Sequence, residues 1–282
     1  MMKLCLLSLS FKRAFAAGAM DVWSFLDVAR DLGFDGVDLH ALGLPSDDHR
    51  VLDEVARACL HRGLSIPCVS IGNTYASPAA DLHEQIAMTH RWIRAAARLK
   101  APQVRVFAGT AEPGDESAAW TRCVAALRQS AALGAELGVR VSLQNHNHLQ
   151  IARTGEDVQR LLQDVAHRNM GHVLDCGQYA GSPGASGYAA DPDRGAYDYL
   201  ASIEQTAPLA THVRAKIYEM RDGRETSLDY ERIFRALRGV SYNGWVSLVY
   251  EGQGDERADI AAAIPMLRRF IAEYSTPAAT GE

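Results

Sequence analysis

The stretch VRVSLQNHNHLQ at residues 139–150 changes from an apolar strand pattern to a run of side chains that can bind ligands or transfer protons. Its first part alternates apolar and polar residues, as a half-buried strand does. Gln144, His146 and His148 then follow at every second position. Amides and imidazoles can hydrogen-bond a ligand, and an imidazole can also act as a general base or a metal ligand. We therefore expect this strand to end at a pocket.

Polar side chains also occur where other apolar runs end. Asp175 ends GHVLD, Arg214 and Lys216 lie in THVRAKI, and Glu251 ends WVSLVYE. A carboxylate or an imidazole could remove a proton next to a carbonyl group, and Lys or Arg could stabilise the resulting enolate. Further candidates for substrate contacts at such ends are His40, Asn73, Arg105 and Gln178.

Each of these residues also has an ordinary structural explanation. A lone His40 is typical of a rim residue, and Lys216 with Glu251 could form a plain salt bridge. The number of polar side chains that would meet at the strand ends favours a functional site, because burying so many polar groups together is costly without a bound ligand. The stretch at residues 177–199 is rich in Gly, Ser and Tyr and could form a lid over the mouth. Its candidate ligand contacts, which could equally form a dimer surface, are Tyr179, Tyr188, Arg194 and Tyr197.

The elements that must position these residues follow a regular alternation. Eight short apolar runs alternate with eight longer amphipathic helical patterns, which predicts an α/β fold, a single (β/α)₈ TIM barrel. The alternative is a doubly wound open sheet, which predicts a glycine-rich turn after the first strand, and SLSFKRAF has none. We expect the barrel domain to span residues 1–274 and residues 275–282 to form a frayed tail.

Composition narrows the class of protein. The chain has 282 residues, 48% of them apolar, and a net charge of −5 without a basic block, so nucleic acid is not an expected partner. No segment approaches the ~20 apolar residues of a membrane span. The five cysteines are widely spaced without a CxxC pair, which predicts reduced thiols and a cytoplasmic location. The expected partner is a small-molecule substrate, and a homo-oligomer is compatible with the sequence.

Five segments resemble the xylose isomerase-like TIM-barrel family, the sugar phosphate isomerases and epimerases. They are GFDGVDLH, LGVRVSLQNHN, GHVLDCGQ, THVRAKIYE and LDYERIFRALRGVSYNGWVSLVYEG, and the last is the most specific. The resemblance covers nearly the whole chain. It implies isomerisation, epimerisation or dehydration of sugars, inositol derivatives or small keto acids. It also implies a divalent metal, Mn²⁺, Mg²⁺, Co²⁺ or Zn²⁺, bound by Glu, Asp, His and Glu from strands 5 to 8.

This sequence departs from the family pattern at three of the four metal-ligand positions. The positions that match Glu, Asp, His and Glu carry Gln144, Asp175, Arg214 and Val249. The ligand charge therefore changes from −3 to zero, because Asp175 contributes −1 and the permanently charged Arg214 contributes +1. In the strand-6 motif, Gln178 also replaces a His. We expect no metal cofactor, and a guanidinium forked onto Asp175 in its place.

These residues predict a divergent, metal-independent enzyme of proton transfer next to a carbonyl group. We expect His146 to be the base, with Glu251 or His40 as alternatives, and Arg214 and Lys216 to stabilise the enolate beside Asp175. The expected substrate-binding residues are Gln144, His40, Arg105, Asn73, Gln178 and His148.

Two alternatives stay open. A divalent metal, Mn²⁺, Mg²⁺ or Zn²⁺, could have moved outward onto His146, Glu251 and Asp175, with His40 or Gln144 as a further ligand. Alternatively, the protein could bind a ligand without turning it over.

Overall fold

Eight parallel strands close into a barrel in the computed structural model, which describes residues 1–148, 150–183 and 195–275. Each strand pairs with its neighbours in sequence, and the first pairs with the last, so the predicted (β/α)₈ barrel is confirmed and the open sheet is excluded. The barrel strands are β1 Lys3–Leu7, β2 Gly36–His40, β3 Ser65–Ser70, β4 Gln103–Phe107, β5 Arg140–Gln144, β6 Met170–Asp175, β7 Ala210–Ile217 and β8 Trp245–Tyr250.

Helices connect successive strands and cover the outside of the barrel. They are α1 Lys12–Ala16, α2 Val22–Asp31, α3 His49–His61, α4 Ala79–Leu99, α5 Glu116–Leu137, α6 Gly155–Val165, α7 Tyr199–Thr206, α8 Tyr230–Gly239 and α9 Glu256–Tyr274. The start of α6 is set by Thr154, whose hydroxyl accepts a hydrogen bond from the Asp157 N–H in a capping box. Asp229 caps α8 with a carboxylate oxygen that accepts the Arg232 N–H.

The strands are buried on both faces, which explains their nearly continuous apolar sequences. Leu4 and Leu6 of β1 are fully buried in the apolar core, and Cys5 between them is buried as well. The polar groups concentrate toward the carboxyl ends of the strands, where β2, β6 and β7 bring charged side chains together and β5 adds the Gln144 amide. The fold therefore separates an apolar shell from a polar centre that opens at one end.

The first strand is shorter than its apolar pattern predicts. The pattern runs to residue 10, but β1 ends at Leu7 and Ser8–Phe11 form one 3₁₀ turn. The hydroxyl of Ser10 donates to the Leu248 carbonyl at 3.2 Å and accepts from the Tyr250 N–H at 3.1 Å. A side chain thus satisfies the backbone of β8 where the strand ladder would otherwise continue.

The structure also bears on the predictions about membrane spans, cysteines and the C-terminal tail. Within the described ranges, no helix is long and apolar enough to cross a membrane. All five cysteines are buried and unpaired. Helix α9 ends at Tyr274, and most of the predicted tail, residues 276–282, lies outside the described residues, as do Tyr188 and Arg194.

Candidate functional site

A fully buried carboxylate, Asp38 of β2, is the centre of the polar interior. It accepts hydrogen bonds from Arg214 Nη2 at 2.9 Å and from the Ser70 hydroxyl at 2.8 Å, and His212 Nε2 lies 3.4 Å away. Burial by itself would raise the pKa of Asp38, but the Arg214 charge and the donors around it outweigh burial and hold the pKa well below its usual range. Asp38 is therefore ionised and paired with Arg214.

Arg214 is linked to Asp175 only through an amide. Its Nη1 donates to Gln144 Oε1 at 2.7 Å, and Gln144 Nε2 donates to Asp175 Oδ2 at 2.8 Å. The predicted fork of Arg214 onto Asp175 is therefore wrong: the guanidinium contacts Gln144, Ser70 and Asp38. The physical reason is that Gln144 lies between the two charges, while Asp38 reaches the guanidinium from β2.

A second ion pair lies nearer the solvent. Lys216 Nζ is 2.6 Å from Glu251 Oε1 and 3.6 Å from Asp175 Oδ2. The side chain of Glu251 is 15% exposed, whereas those of Lys216 and Asp175 are buried, so Glu251 forms the outer end of this group. Burial raises the pKa of Asp175, and the nearby Lys216 and Arg214 charges offset this only in part. Hydrogen bonds and ion pairs thus connect Glu251 to Asp38 without a break.

The residues at the four expected metal-ligand positions do not fit a divalent cation. The Lys216 ammonium group lies 3.6 Å from Asp175. Gln144 already donates a hydrogen bond to Asp175 and accepts one from Arg214. A dication would be repelled by both cations. Val249 has no donor atom and shares the inward face of β8 with Ser247, whose hydroxyl lies 3.4 Å from Asp38. Within the described residues, no three His, Cys, Asp or Glu side chains are placed to hold a metal ion.

His146 lies between an aromatic ring and a second histidine. Its ring packs edge-on against Phe107, with centroids 5.1 Å apart, and lies 4.8 Å from the His148 ring. Burial is the main cause that lowers the pKa of His146 well below its usual value, and His148 and Lys216 add to the effect. Its Nδ1 accepts the His148 N–H at 3.2 Å, so the neutral ring carries its proton on Nε2. In this tautomer His146 can donate a hydrogen bond through Nε2, whereas the sequence pattern suggested a base.

Two asparagines replace backbone hydrogen bonds at strand ends. The Asn73 amide donates to the Phe107 carbonyl and accepts the Phe107 N–H, both at 2.8 Å. Asn145 does the same for the main chain of Asp175, at 3.0 and 2.9 Å. Asn73 therefore stabilises the end of β4. Its amide groups are already hydrogen-bonded to the Phe107 main chain, so they are not available for a substrate. The Gln178 amide, by contrast, is buried, and among the described residues neither its oxygen nor its nitrogen has a hydrogen-bond partner.

Tyr179 belongs to the core of the protein. It is fully buried, and its hydroxyl lies 2.9 Å from His172 Nε2 and 2.5 Å from the Thr206 hydroxyl. Its expected role as a ligand or dimer contact is therefore wrong, because α7 and β6 enclose the ring. Tyr197 is 43% exposed, and its hydroxyl accepts a hydrogen bond from Arg153 at 3.3 Å.

His40 lies at the end of β2 and is almost completely buried. Its Nδ1 accepts the Leu42 N–H at 3.2 Å. Burial, with the Arg105 and Arg214 charges, lowers the pKa of His40 to about 3. His40 is therefore neutral at physiological pH.

We expect His40 to make the fold sensitive to acid. The unfolded chain binds a proton at this residue below about pH 6.5, whereas the folded protein resists protonation until its own pKa. Stability is thus unaffected by His40 above about pH 6.5 and falls as the pH decreases below it. In His40→Gln, the loss of unfolding free energy between pH 7 and pH 4.5 should be smaller by about 2–3 kcal/mol.

Chemical denaturation of both proteins at the two pH values measures this difference. His61→Gln, on the exposed face of α3, controls for loss of an imidazole. An equal loss in the parent and in His40→Gln would contradict a suppressed pKa.

Sequence reasoning missed Asp38 and Ser70. The usable signal was strand parity, because Asp38 precedes the candidate His40 by two residues and must share its inward face. A carboxylate inside the apolar run GVDLH also needs a buried cation. Ser70 gave no such signal, since serine is common at strand ends.

Comparisons with known proteins agree with this architecture. A search of curated protein sequences gives no match. The chain is similar in structure to D-psicose 3-epimerase crystallised with D-fructose, with a TM-score of 0.76 and 16% identity over 96% of this chain and 99% of that one. L-ribulose 3-epimerase gives 0.76 and 17%, over 97% and 96% of the two chains. The 3-keto-D-glucoside 4-epimerase from E. coli gives 0.72 and 17%, over 95% and 100%.

At such low identities, these structural similarities establish only a common fold. The family is established by a match to a sequence-family model. The family model of the xylose isomerase-like TIM barrel matches residues 26–270, which is most of the chain. The match includes the segments that carry β2 to β8 and the polar centre. The chain belongs to the xylose isomerase-like TIM-barrel family.

Proposed function

We propose that the protein is an enzyme that moves a proton at a carbon next to a carbonyl group of a small sugar-derived or polyhydroxylated substrate, without a divalent metal. The reaction class is isomerisation, epimerisation or elimination. Membership of the family and structural likeness to sugar epimerases support this substrate class. The finer proposal depends on the charged residues of the polar centre.

One observation carries the metal-free part of the proposal. Asp175, the carboxylate that remains of the expected metal shell, has Lys216 at 3.6 Å and is linked through Gln144 to Arg214. These cations supply positive charge where the resemblance implies a metal ion. An ammonium group beside the substrate can stabilise an enolate oxygen by charge and by hydrogen bonding, as a metal ion does.

We assign the proton transfer to Lys216 of β7 and to two residues that follow strands, Glu251 after β8 and His146 after β5. Glu251 is the base. It is the most exposed of the connected side chains that run from Glu251 to Asp38, and a carboxylate oxygen can accept the proton of the substrate carbon. Lys216 holds this carboxylate and stabilises the enolate. His146, with its proton on Nε2, donates to a substrate oxygen. Return of the proton from Glu251 to the neighbouring carbon of the enolate completes isomerisation, whereas epimerisation needs delivery of a proton to the opposite face of the same carbon.

Solvent isotope exchange tests this function before the substrate is known. A panel of ketoses, inososes and keto acids is incubated with the protein in D₂O containing EDTA, and deuterium at carbon is followed by NMR. We expect one group of compounds to exchange, and Lys216→Met to abolish the exchange. Lys3→Met is the matched control, because Lys3 lies at the opposite end of the barrel over Trp245. Binding without exchange by any compound would instead indicate a ligand-binding protein.

We expect protein purified without chelator to carry well under one equivalent of divalent metal. EDTA should leave its melting temperature unchanged, because the cations beside Asp175 repel a dication. Val249→Glu restores one carboxylate but keeps Arg214, so it should bind no metal either. Elemental analysis and melting curves with and without EDTA measure both. Stoichiometric Mn²⁺ or Zn²⁺ with a chelator-sensitive melting point would overturn the proposal.

The same measurement addresses a metal moved outward onto His146, Glu251 and Asp175. Two contacts argue against that site. Lys216 lies against both carboxylates, and His146 Nδ1 is occupied by the His148 N–H. A metal there would have to displace the ammonium group.

A further inference from the structure

A depression opens at the end of the barrel opposite the polar centre, where the strands begin. The last turn of α3, the end of α4 and the starts of β3 and β8 line it. Its volume is about 540 Å³, within the range of roughly 300–1,000 Å³ that small-molecule sites have. A second depression of about 330 Å³ shares Pro67, Pro102 and Trp245 with it, so the two adjoin.

The surface of the first depression is mostly apolar. Trp245 packs so closely on Gly36 that a Cβ at this glycine would lie 3.0 Å from the indole ring. Leu60 at the end of α3 is 76% exposed, although it borders a concave surface. The other apolar lining side chains are Leu64, Ile66 and Leu99, with the two prolines. A ligand with an apolar body would remove Leu60 and this surface from water.

The charged residues that line the two depressions in the described part of the chain are all cations. Arg57 and Lys100 line the first and Arg140 lines the second, without an Asp or Glu residue in either lining. These three residues are exposed, and none has a carboxylate oxygen within 4.0 Å in the described ranges. The net charge of the chain is −5, so this positive charge is a local feature. An anionic group therefore matches this surface.

The acidic residues of α3 leave the charge of Arg57 available. Asp53, one helical turn before Arg57, accepts hydrogen bonds on both oxygens from Arg98 of α4, at 2.7 and 2.5 Å. Glu54 has no cationic nitrogen within 4.0 Å among the described residues.

One buried donor favours a small ligand over a partner protein. Gln103 lines the second depression and is 5% exposed. Its Oε1 accepts hydrogen bonds from Ser142 at 2.9 Å and from Thr211 at 3.1 Å. Its Nε2 is not fully enclosed and has no acceptor among the described residues. A small acceptor that enters the depression can reach this atom, whereas a flat protein surface laid over Leu60 cannot.

We propose that this end of the barrel binds a small carboxylic acid with an apolar body, alkyl or aryl. The body lies against Leu60, Ile66 and Trp245. The carboxylate accepts charge-assisted hydrogen bonds from the lining cations, and the Gln103 amide supplies a further donor. Lys216 and Glu251 lie at the other end of the strands, so this inference does not rest on the proposed function.

Calorimetry with matched acids and alcohols tests the site without any turnover. At low ionic strength, octanoate is compared with octanol and 2-naphthoate with 2-naphthalenemethanol, and acetate lacks an apolar body. We expect at least one of the two acids to bind one molecule per chain, about 3–10-fold more tightly than its alcohol, and acetate not to bind. The tighter acid shows whether the body is alkyl or aryl. No binding of either acid, equal affinity for acid and alcohol, or binding without saturation would overturn the proposal.

Charge variants locate the bound acid. Removal of the three lining cations should reduce the affinity for the acid to that for its alcohol, in the variant Arg57→Gln, Lys100→Gln, Arg140→Gln. The matched control removes three exposed arginines outside the two depressions and should bind the acid as the parent does: Arg50→Gln, Arg94→Gln, Arg257→Gln. Lys216→Met alters the polar centre and should also bind the acid normally. Unchanged affinity in the first variant, or loss of binding in Lys216→Met, would contradict the proposed site.

Sedimentation velocity separates a bound acid from a second copy of the chain. Leu60→Glu places a carboxylate on the rim, so it should weaken binding of the acid and leave the sedimentation coefficient unchanged. Leu42→Glu is the matched control, since Leu42 is an exposed leucine that follows β2 at the opposite end, and it should bind the acid as the parent does. A dimer of the parent that Leu60→Glu dissociates would mean that a second copy covers this surface, and the proposal would be wrong.

Discussion

Glu251→Gln is expected to lower kcat by about 10²–10⁴-fold on the substrate identified by isotope exchange, because it removes the general base. The amide keeps the size of the side chain and can still accept a hydrogen bond from Lys216, and Asp175 remains as a counter-charge 3.6 Å from that ammonium group, so the protein should still fold. Exchange of deuterium into the substrate carbon should be lost together with turnover. Steady-state kinetics and NMR on the same protein measure the two effects.

Two variants make this result specific. Glu219→Gln changes an exposed carboxylate that pairs with Arg221 in the loop after β7, and kcat should not change. His146→Ala removes the proposed donor and should lower kcat by about 10²–10³-fold, as loss of an oxyanion donor does. Full turnover in Glu251→Gln together with inactive His146→Ala would return the base to His146, as the sequence pattern first suggested.

Arg214→Met is expected to destabilise the protein by about 3–5 kcal/mol, because it leaves the buried Asp38 carboxylate unpaired. Asp38→Asn should also destabilise it, and the double variant should cost clearly less than the sum of the two single variants. Chemical denaturation gives the three free energies of unfolding. Arg232→Met, in an exposed pair with Glu204, is the control and should produce little measurable change.

A second cycle distinguishes the direct partner from the indirect one. Arg214 contacts Asp38 at 2.9 Å but reaches Asp175 only through Gln144. The coupling energy between Arg214→Met and Asp175→Asn should therefore be smaller than the coupling energy between Arg214→Met and Asp38→Asn. Additive effects of Arg214→Met and Asp38→Asn, or stronger coupling to Asp175, would show that the ion pair is not the one described.

The Asp38 pair also predicts a pH dependence with a definite sign. The pKa of Asp38 is held below its unfolded value, so the stability it provides is complete above that value, near pH 4, and is lost as the pH falls through the folded pKa. Asp38→Asn should remove this part of the acid sensitivity.

Local patterns in the sequence were sufficient for the fold. The alternation of strands and helices is a property of hydrophobic period and chain length, and it predicted all eight barrel strands. Parity along the chain predicted that Gln144, the last residue of β5, and His146, two residues later, lie on one side, and the closed barrel brings the polar strand ends together. Loss of the metal-ligand pattern was also readable, because it depends only on which residue type occupies each position.

The tertiary structure decided which of these residues contact each other. Arg214 could have paired with any buried carboxylate, and its partner Asp38 is 176 positions away in the sequence, on a strand that no local pattern relates to β7. Asn73 has the residue type of a substrate contact, yet its amide is used by the Phe107 main chain.

Residue type fixes the charge and the hydrogen-bonding capacity of a side chain. Which acceptor a donor finds depends on the closure of the barrel, because closure determines which residues of distant strands lie at the same level along the barrel axis. For this reason the sequence could name Gln144, Asp175 and Arg214 as neighbours, whereas the Arg214–Asp38 pair and the Gln144 bridge could not be predicted.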